Sequence, residues 1–402
     1  MRNRSVLVSG VAATLVVSGT IGLAHGQEAD GLGIRAGAFM VQPQTTLGII
    51  YSDNVFAADD DEESDFITTI SPSVSIDSGW SRHALGIDLA TTAGIYADNS
   101  SENFVDTSIA VAGRLDVRRE TAIQAQVSFA RNHEERGDPN TLLENDEPAI
   151  FTVASGEAFV LHGSGRISVR AGASVQQFRY SEVDLVGGGS ITQDERNNRR
   201  FEVSGRVSYE LRPEVIPFVE VAYNVRDFFE QDANPVDRDS DGIRVGIGTG
   251  VILPGNFNGE VFAGWLEQDV DEEGRDISDV WFGGQVDWEV TRLTSLSANL
   301  TRTIEESVDP NVTGITQTDF TGTIDHELRR NVRLGGFLGV IDQQFEGADF
   351  DDQFFEYGAR VEYLWNRHLD AEFRVSRKDR NSDEDARESD ITLIYLGVTG
   401  RL

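Results

Sequence analysis

The feature that most constrains this chain is a regular alternation of apolar and polar residues, which recurs in about eighteen segments between Thr46 and Leu402. In the clearest segment, 201–211, odd positions are apolar or small and even positions are charged or hydroxylic. Successive side chains of a strand point to opposite faces, so a period of two is typical of strands whose faces meet different surroundings. We find no helical period of useful length. The sequence therefore predicts an all-β chain.

The connections between these segments alternate in length. Short connections such as 118–120, 163–165 and 366–367 take turns with long ones such as 134–148 and 181–196. Outer-membrane barrels have short periplasmic turns and longer loops on the outside. The two patterns together predict a transmembrane up-and-down antiparallel β-barrel of about 16–18 strands, with 18 preferred.

The first residues have the form of a secretory signal. Arg2 and Arg4 precede an apolar run, and Ala24-His25-Gly26 places small residues before a cut at Gln27. An uncleaved membrane anchor is the alternative. We therefore expect a signal peptide at 1–26, a periplasmic segment at 27–45 and an outer-membrane barrel at 46–402, in a Gram-negative envelope. The absence of cysteine fits such a compartment without requiring it.

The net charge of −34 argues against a nucleic-acid partner, because phosphates would be repelled. About half of the 68 acidic residues fall in the predicted long loops, whereas the short turns are rich in arginine. Aromatic residues gather near both ends of the strands, which predicts two interfacial girdles. The turn-side members are Trp80, Tyr209, Trp288, Tyr363 and Trp365, and the loop-side members are Tyr51, Tyr96, Phe104, Phe151, Phe228, Trp281 and Phe355.

Three stretches carry a family resemblance: Gly37-Ala38-Phe39-Met40-Val41-Gln42-Pro43, Tyr51-Ser52-Asp53-Asn54-Val55-Phe56 and Gly259-Glu260-Val261-Phe262-Ala263-Gly264-Trp265-Leu266-Glu267-Gln268. They resemble the β-barrel porin 2 family of outer-membrane barrels, some of which are linked with polysaccharide export. The resemblance implies an outer-membrane location and, as a sharper expectation, export of an exopolysaccharide with its export machinery as a partner.

The end of the chain resembles the signal that the barrel-assembly machinery recognises. Tyr395, Gly397 and Leu402 occupy the polar, glycine and terminal hydrophobic places of that signal. Gly400 stands where a hydrophobic residue is usual, and the last residue is Leu where Phe is commoner. The resemblance implies the assembly machinery and outer-membrane lipid, including lipopolysaccharide, as partners.

Motifs for chemistry are weak. Asp237-Arg238-Asp239-Ser240-Asp241-Gly242 copies the first half of a calcium loop, which makes Asp237, Asp239 and Asp241 weak metal candidates. The twelfth position of such a loop is Gly248 instead of the bidentate Glu that an EF-hand needs. The six histidines show no metal-ligand spacing, and no nucleophile motif is present. We expect no enzyme activity and no cofactor.

The polar faces of the strands predict a charged lumen with nearly balanced signs. We expect these residues to form cross-strand ladders of acid and arginine, which either stiffen the wall or recognise carboxylates and sugar hydroxyls. The lumen candidates are Arg114, Arg170, Arg206, Arg226, Arg244, Arg360, Arg374, Glu202, Glu220, Glu356, Glu362 and Glu372.

Three functions of a barrel remain open from the sequence, and a soluble all-β protein of the periplasm is the alternative to the barrel itself. Export or passage of an exopolysaccharide or another polar solute is the main expectation. A general diffusion porin is the first alternative, with 134–148 or 181–196 folded into the lumen as a constriction. A plugged structural or adhesin-like barrel without transport is the second.

Overall fold

The computed structural model describes residues 33–137, 146–185, 188–229, 238–271, 276–305, 312, 314–348, 350–383 and 387–402. The predicted signal peptide and Asp237 lie outside the described residues. Among the described residues, no helix is long and apolar enough to cross a bilayer.

The described residues form strands almost throughout. The strands are β1 Ile34–Ala36, β2 Phe39–Ser52, β3 Asp65–Ser78, β4 Ala84–Tyr96, β5 Phe104–Arg118, β6 Thr121–His133, β7 Ile150–Ser164, β8 Ile167–Tyr180, β9 Val183–Asp184, β10 Ser190–Ile191, β11 Asn198–Tyr209, β12 Val215–Phe228, β13 Ser240–Leu253, β14 Phe257–Val270, β15 Ile277–Thr291, β16 Thr294–Glu305, β17 Gly314–Arg329, β18 Val332–Glu346, β19 Asp351–Asn366, β20 Leu369–Ser382 and β21 Ser389–Arg401. Two short 3-10 helices lie at Ser100–Glu102 and Asp194–Arg196.

Eighteen of these strands, β2–β8 and β11–β21, pair in chain order into one antiparallel ring. The ring closes between β21 and β2, where Gln44 faces Arg401 and Ser52 faces Leu393. The remaining strands are a small extension, β1 on β2, and a separate β9–β10 hairpin. The predicted fold class, a closed up-and-down β-barrel of about 18 strands, is confirmed.

The first barrel strand begins at Phe39, whereas the sequence analysis placed the start of the barrel at Thr46. Residues 39–43 pair with the turn-side end of β3, from Phe39 opposite Ser78 to Pro43 opposite Val74. Pro43 lacks an N–H and two glutamines flank it, so the alternation that marks the other strands is weak there.

The alternation of connection lengths is confirmed. Several turns have two residues, such as 119–120, 292–293, 330–331 and 367–368, and each of these four adjoins a register shift in its strand pair. Such a shift lets a strand bend tightly into its neighbour. On the opposite side the connections run as long as 181–197. We therefore call the turn side periplasmic and the loop side extracellular.

Each strand has an exposed apolar face and a polar face. On β11 the exposed side chains Phe201, Val203 and Val207 face outward, towards lipid, and the residues between them face inward. The turn-side girdle follows this rule, because Trp80, Tyr209, Trp288, Tyr363 and Trp365 are all exposed.

The predicted loop-side girdle is largely wrong. Tyr51 and Phe355 lie on outward faces. The other five side chains, Tyr96, Phe104, Phe151, Phe228 and Trp281, lie on the faces opposite the exposed apolar residues and therefore point inward. Alternation decides orientation: Trp281 follows the exposed Val280, so it occupies the other face.

Candidate functional site: the lumen and its extracellular end

The inward faces of the strands divide into walls of different chemistry. The hydroxyl wall comprises inward residues of β2–β6 with small, mostly uncharged side chains: Thr46, Thr69, Ser71, Ser73, Ser75, Thr92, Ser108 and Ser128. The charged wall comprises inward residues of β8, β11–β14: Arg170, Arg200, Glu202, Arg206, Glu220, Arg226, Arg244 and Glu260. Six of the twelve lumen candidates lie on the charged wall.

The hydroxyl wall is held by short side-chain hydrogen bonds between neighbouring strands. Thr46 and Thr399 hydroxyls lie 2.9 Å apart across the closing seam, and Ser128 and Ser155 hydroxyls lie 2.6 Å apart. Hydroxyl groups both donate and accept, so they add neutral hydrogen-bonding capacity to a wall that also carries charges such as Asp88, which accepts from Ser75.

Arg206 is the centre of the charged wall. Its Nε donates to Glu220 Oε2 at 2.6 Å, and its Nη1 donates to Glu260 Oε1 at 2.9 Å. The guanidinium also lies 3.9 Å from the ring centroid of Phe218. To contact Glu260 on β14, the Arg206 side chain passes over β13. Gly246, Gly248 and Gly250 of β13 have no side chains and leave room for it. One cation therefore joins three strands that are not all neighbours.

Other arginines of the charged wall contact more distant partners. Arg244 Nη2 donates to Glu202 Oε1 at 2.8 Å, across β12. Arg200 Nη1 donates to Glu305 Oε2 at 3.3 Å on β16, and Arg226 Nη2 donates to the Ile304 carbonyl at 2.9 Å. Strands β12–β15 separate β11 from β16 in the ring, so these contacts cross the lumen near its extracellular end.

A second charged group lies on β17–β21, towards the turns. Arg360 donates to Asp325 at 2.5 Å, across Gly335, and Arg374 donates to Glu372 at 2.5 Å along its own strand. Glu362 lies 3.5 Å from Arg333, and Arg401 contacts Asp370. Glu356 faces Lys378 in the register.

The predicted cross-strand ladder of opposite charges is right for some pairs, such as Arg333 opposite Glu362 and Glu356 opposite Lys378, and wrong for others. Arg206 does face Glu220, but Arg360 faces Arg374, Glu362 faces Glu372 and Arg170 faces Arg206. Directly opposed like charges are unfavourable. The arginines therefore pair diagonally or along a strand, as Arg114 does with Asp116 at 3.0 Å, while Arg170 stacks 3.7 Å from the ring centroid of Phe159.

At the extracellular end, loop residues fold into the barrel. Arg136 donates two hydrogen bonds to Glu102, at 2.9 and 2.7 Å, and Arg196 donates two to Glu134, at 3.1 and 2.5 Å. We call the Glu134–Arg196 pair the loop latch. Both of its side chains are buried, and paired hydrogen bonds of this kind are strong and directional.

The Arg196 guanidinium of the loop latch has a raised pKa. Burial alone would lower the pKa of the Arg196 guanidinium. The carboxylate of Glu134 outweighs that effect, so the pKa lies above its ordinary value. The stability that this shift contributes is present below the ordinary arginine pKa and is lost as the pH rises through the raised pKa.

Gly137, three residues after Glu134, lies against residues from distant parts of the ring at the extracellular end. A Cβ built on Gly137 would lie 2.7 Å from the Cβ of Ala57 and 3.7 Å from Cδ1 of Ile391. Gly137 follows β6, whereas Ile391 lies on the inward face of β21, and β2–β5 separate these strands. This contact therefore narrows the extracellular end.

The opposite side of the same end is packed around Asp352. Its carboxylate accepts hydrogen bonds from Arg380 at 2.7 Å and from Arg387 at 2.6 Å. Arg387 also covers the rings of Phe345 and Phe350, which adjoin a buried apolar cluster. The largest fully buried side chains lie in long loops or near the loop ends of strands: Ile315, Gln193, Gln343, Glu102, Val183, Asn54, Thr316 and Asp352.

Sequence reasoning missed this packed end. It named 134–148 and 181–196 as candidate constrictions, but neither Arg136, Arg196 nor Arg387 was singled out. No local signal marks them, because their partners lie on other loops and the loop sequences have no period.

Of the weak metal candidates, Asp237 lies outside the described residues, and Asp239 and Asp241 have other partners. Asp239 Oδ1 accepts the backbone N–H of Phe228 at 2.7 Å, and Asp241 pairs with the Tyr223 hydroxyl. Within the described ranges, no group of three or more His, Cys, Asp or Glu side chains is placed to hold a metal ion.

The predicted assembly residues lie at the closing seam. The Tyr395 ring lies over Gly48 and Gly397 on the inward face, and Leu402 is exposed with its N–H donating to the Pro43 carbonyl at 3.3 Å. A Cβ on Gly400 would have no neighbour within 4 Å. Their role in assembly stays a prediction.

A closed ring of 18 strands, apolar outside and polar inside, defines an outer-membrane β-barrel of the porin class. The match to a family model narrows this: the chain belongs to the family described as "Putative beta-barrel porin 2", whose model matches residues 28–402. The protein is thus an outer-membrane protein of a Gram-negative bacterium. No curated protein is similar enough to the chain to count as a match.

Solved barrels resemble the chain at low sequence identity. The outer membrane protein opdK from Pseudomonas aeruginosa is 10% identical, with 90% of this chain and 98% of that chain covered and a TM-score of 0.44. OccK2 (OpdF) from Pseudomonas aeruginosa, in complex with glucuronate, is 10% identical, with 90% and 98% covered and a TM-score of 0.47. A BenF-like porin from Pseudomonas fluorescens Pf-5 is 12% identical, with 90% and 99% covered and a TM-score of 0.46.

Proposed function

We propose that this barrel is a diffusion channel for small polar solutes, narrowed at its extracellular end and selective for cations over anions. The observation that carries the proposal is the contrast between a continuous polar inner face and inward-folded loops at one end. Barrels of about 16–18 strands enclose a water-filled lumen. A loop that folds into the lumen limits the size of the solutes that pass, as expected for a general diffusion porin.

The preference for cations follows from where the charge lies. The lumen arginines are largely offset by carboxylates at 2.5–3.5 Å, such as Arg206 by Glu220 and Arg333 by Glu362. The long loops, by contrast, carry acidic runs such as 59–63 and 271–273 with few bases. A mouth lined by one sign of charge raises the local concentration of the opposite ion.

Export of an exopolysaccharide stays a prediction. It came from the family resemblance, and no contact in the described residues favours a polymer over a small solute. The packed extracellular end fits a size limit better than the passage of a chain.

Conductance in a planar bilayer tests the proposal. The purified mature chain is expected to give single channels, with a reversal potential in a KCl gradient that shows K⁺ preferred over Cl⁻. An anion preference would contradict the charge argument, and silence would favour the plugged barrel. Long-lived block by an exopolysaccharide fragment, without block by small sugars, would instead favour export.

A further inference from the structure

A row of exposed arginines crosses the outer, lipid-facing surface of the barrel near its extracellular edge. Arg131 lies on β6, Arg179 on β8 and Arg199 on β11, each on the face that also carries exposed apolar residues such as Val127, Val175 and Val203. We call these three residues the arginine row.

The register places the three residues at nearly the same height. Arg131 lies opposite Thr152 on β7, and Thr152 lies opposite Arg179. Arg199 lies opposite Gln177, which is two residues before Arg179 on β8 and shares its face. Two strand spacings put Arg131 about 10 Å from Arg179, and the diagonal puts Arg199 about 7–8 Å from Arg179.

The arginine row has almost no internal compensation. Arg131 donates to the Val105 carbonyl at 2.9 Å, and within the described chain neither Arg131 nor Arg179 has a carboxylate partner. Arg199 lies 3.5 Å from Asp227, and both side chains are about half exposed. Arg179 and Arg199 instead flank the ring of Phe229, at 5.5 and 5.2 Å from its centroid.

An outward arginine on the far side of the ring is, by contrast, paired with carboxylates. Arg377 on β20 also faces outward near the extracellular edge, but it pairs with Asp379 at 2.6 Å and with Asp390 at 2.9 Å. The barrel thus supplies two close carboxylates to Arg377, whereas in the arginine row the described residues give Arg199 only the half-exposed Asp227 and give Arg131 and Arg179 no carboxylate.

The surroundings of the arginine row indicate which partner it binds. Below the row the surface is apolar, with Phe129 and Phe201 exposed, so it faces acyl chains. Above it stand the acidic loops. A planar guanidinium matches a phosphate with two parallel hydrogen bonds, and cations near an anionic lipid surface are attracted to it. We infer that the arginine row binds the phosphate groups of a phosphorylated lipid of lipid A type in the outer leaflet.

The test measures lipid binding by the purified full mature chain in detergent, using native mass spectrometry. The probe is diphosphoryl lipid A, compared with the same lipid after removal of its phosphates and with inorganic phosphate as a competitor. The triple variant Arg131→Gln, Arg179→Gln, Arg199→Gln is compared with Arg377→Gln, which removes an outward cation that is ion-paired. Resistance to SDS before heating verifies that each barrel is folded.

We expect each arginine to contribute about fivefold, so the triple variant should bind diphosphoryl lipid A on the order of 100-fold more weakly, whereas Arg377→Gln should bind like the unchanged chain. The dephosphorylated lipid should bind the unchanged chain weakly. Equal binding by the triple variant overturns the inference, and so does displacement of the lipid by millimolar inorganic phosphate, which would indicate a site for the free anion. If the triple variant does not fold, the three single variants provide the same comparison. None of these results depends on channel activity.

Discussion

The two ends of the barrel are built from the same strands but packed in different ways. At the extracellular end, the buried Arg196 and Glu134 of separate loops contact each other, and Arg387 of another loop contacts the buried Asp352 at the loop end of β19. At the periplasmic end the turns are too short to fold inward, and ion pairs such as Arg114–Asp116 and Arg360–Asp325 are half exposed. Loop length therefore decides which end can narrow the channel.

The Arg206 cluster is the exception on the periplasmic half, since Arg206 is only 6% exposed. The cluster stabilises the charged wall through strand residues alone, because the glycines of β13 leave room for Arg206 to contact Glu260. The Arg206 cluster buries side chains of β11, β12 and β14, whereas burial at the extracellular end joins residues of separate connections, such as Glu134 and Arg196.

The largest effect is expected from Glu134→Ala, which leaves the buried Arg196 without its carboxylate. Breaking a buried pair by removing one partner costs about 3–5 kcal/mol. We expect the loop latch to open, with higher single-channel conductance and faster protease cleavage near 134–149, while the barrel still resists SDS. The matched control is Asp116→Ala at the other end, where a half-exposed pair contributes ~0–1 kcal/mol. Equal conductance changes in both variants would contradict the contrast between the ends.

A somewhat smaller effect is expected from Arg206→Met, which keeps most of the side-chain volume but leaves Glu220 and Glu260 unpaired. Partial hydration of the lumen should limit the loss to about 2–3 kcal/mol. Thermal loss of SDS resistance measures this stability. Because a positive charge is removed, the reversal potential should also shift towards stronger cation preference, and an unchanged potential would show that permeant ions do not sense this wall.

A pair of glycine substitutions compares the ends directly. Gly137 has a positive φ of 75°, and its added Cβ would press on Ala57, so Gly137→Ala should cost about 2 kcal/mol. Gly335 has no positive φ, and the atoms nearest its added Cβ would be side-chain atoms, of Arg360 and Asp325, so Gly335→Ala should cost less, about 1 kcal/mol. Thermal melting of both variants checks the order, and a larger loss in Gly335→Ala would reverse the account of which end is tightly packed.

The smallest effect concerns assembly. The double variant Gly400→Val, Leu402→Phe supplies the hydrophobic residues that the assembly signal usually carries, and neither position is crowded. We expect up to about a twofold increase in folded protein in the outer membrane, with no change in melting temperature, because outward apolar side chains at these positions face lipid. Quantitative immunoblotting of outer-membrane fractions measures it. Lower yield would show that Gly400 is required at the seam.

Much of the fold could be predicted from the sequence because a barrel strand repeats one local rule. The alternation in 201–211 and the two-residue turns each depend on neighbours in the chain, so strand number, order and sidedness follow without knowledge of distant contacts. The inward or outward direction of Trp281 and Phe228 also follows from alternation, once their position relative to exposed neighbours is counted.

The packed end could not be predicted in this way. The partners Glu134 and Arg196 lie on different loops, and Gly137 contacts a strand from the far side of the sequence. Such contacts depend on the closed ring, which brings together segments that have no shared period. The prediction of the lumen pairs was partly wrong for a related reason. Gly335 and the glycines of β13 let long side chains contact partners diagonally across a strand, and strand alternation alone does not reveal such contacts.

The most direct test of the account is the access of neutral polymers from each side of a single oriented channel. Polyethylene glycols of increasing size are added to one side at a time, and the conductance is recorded. The account predicts that polymers added from the periplasmic side enter and lower the conductance up to a larger size than polymers added from the extracellular side, and that Glu134→Ala removes this difference. Equal size limits from both sides in the unchanged chain, or a narrower periplasmic side, would contradict it.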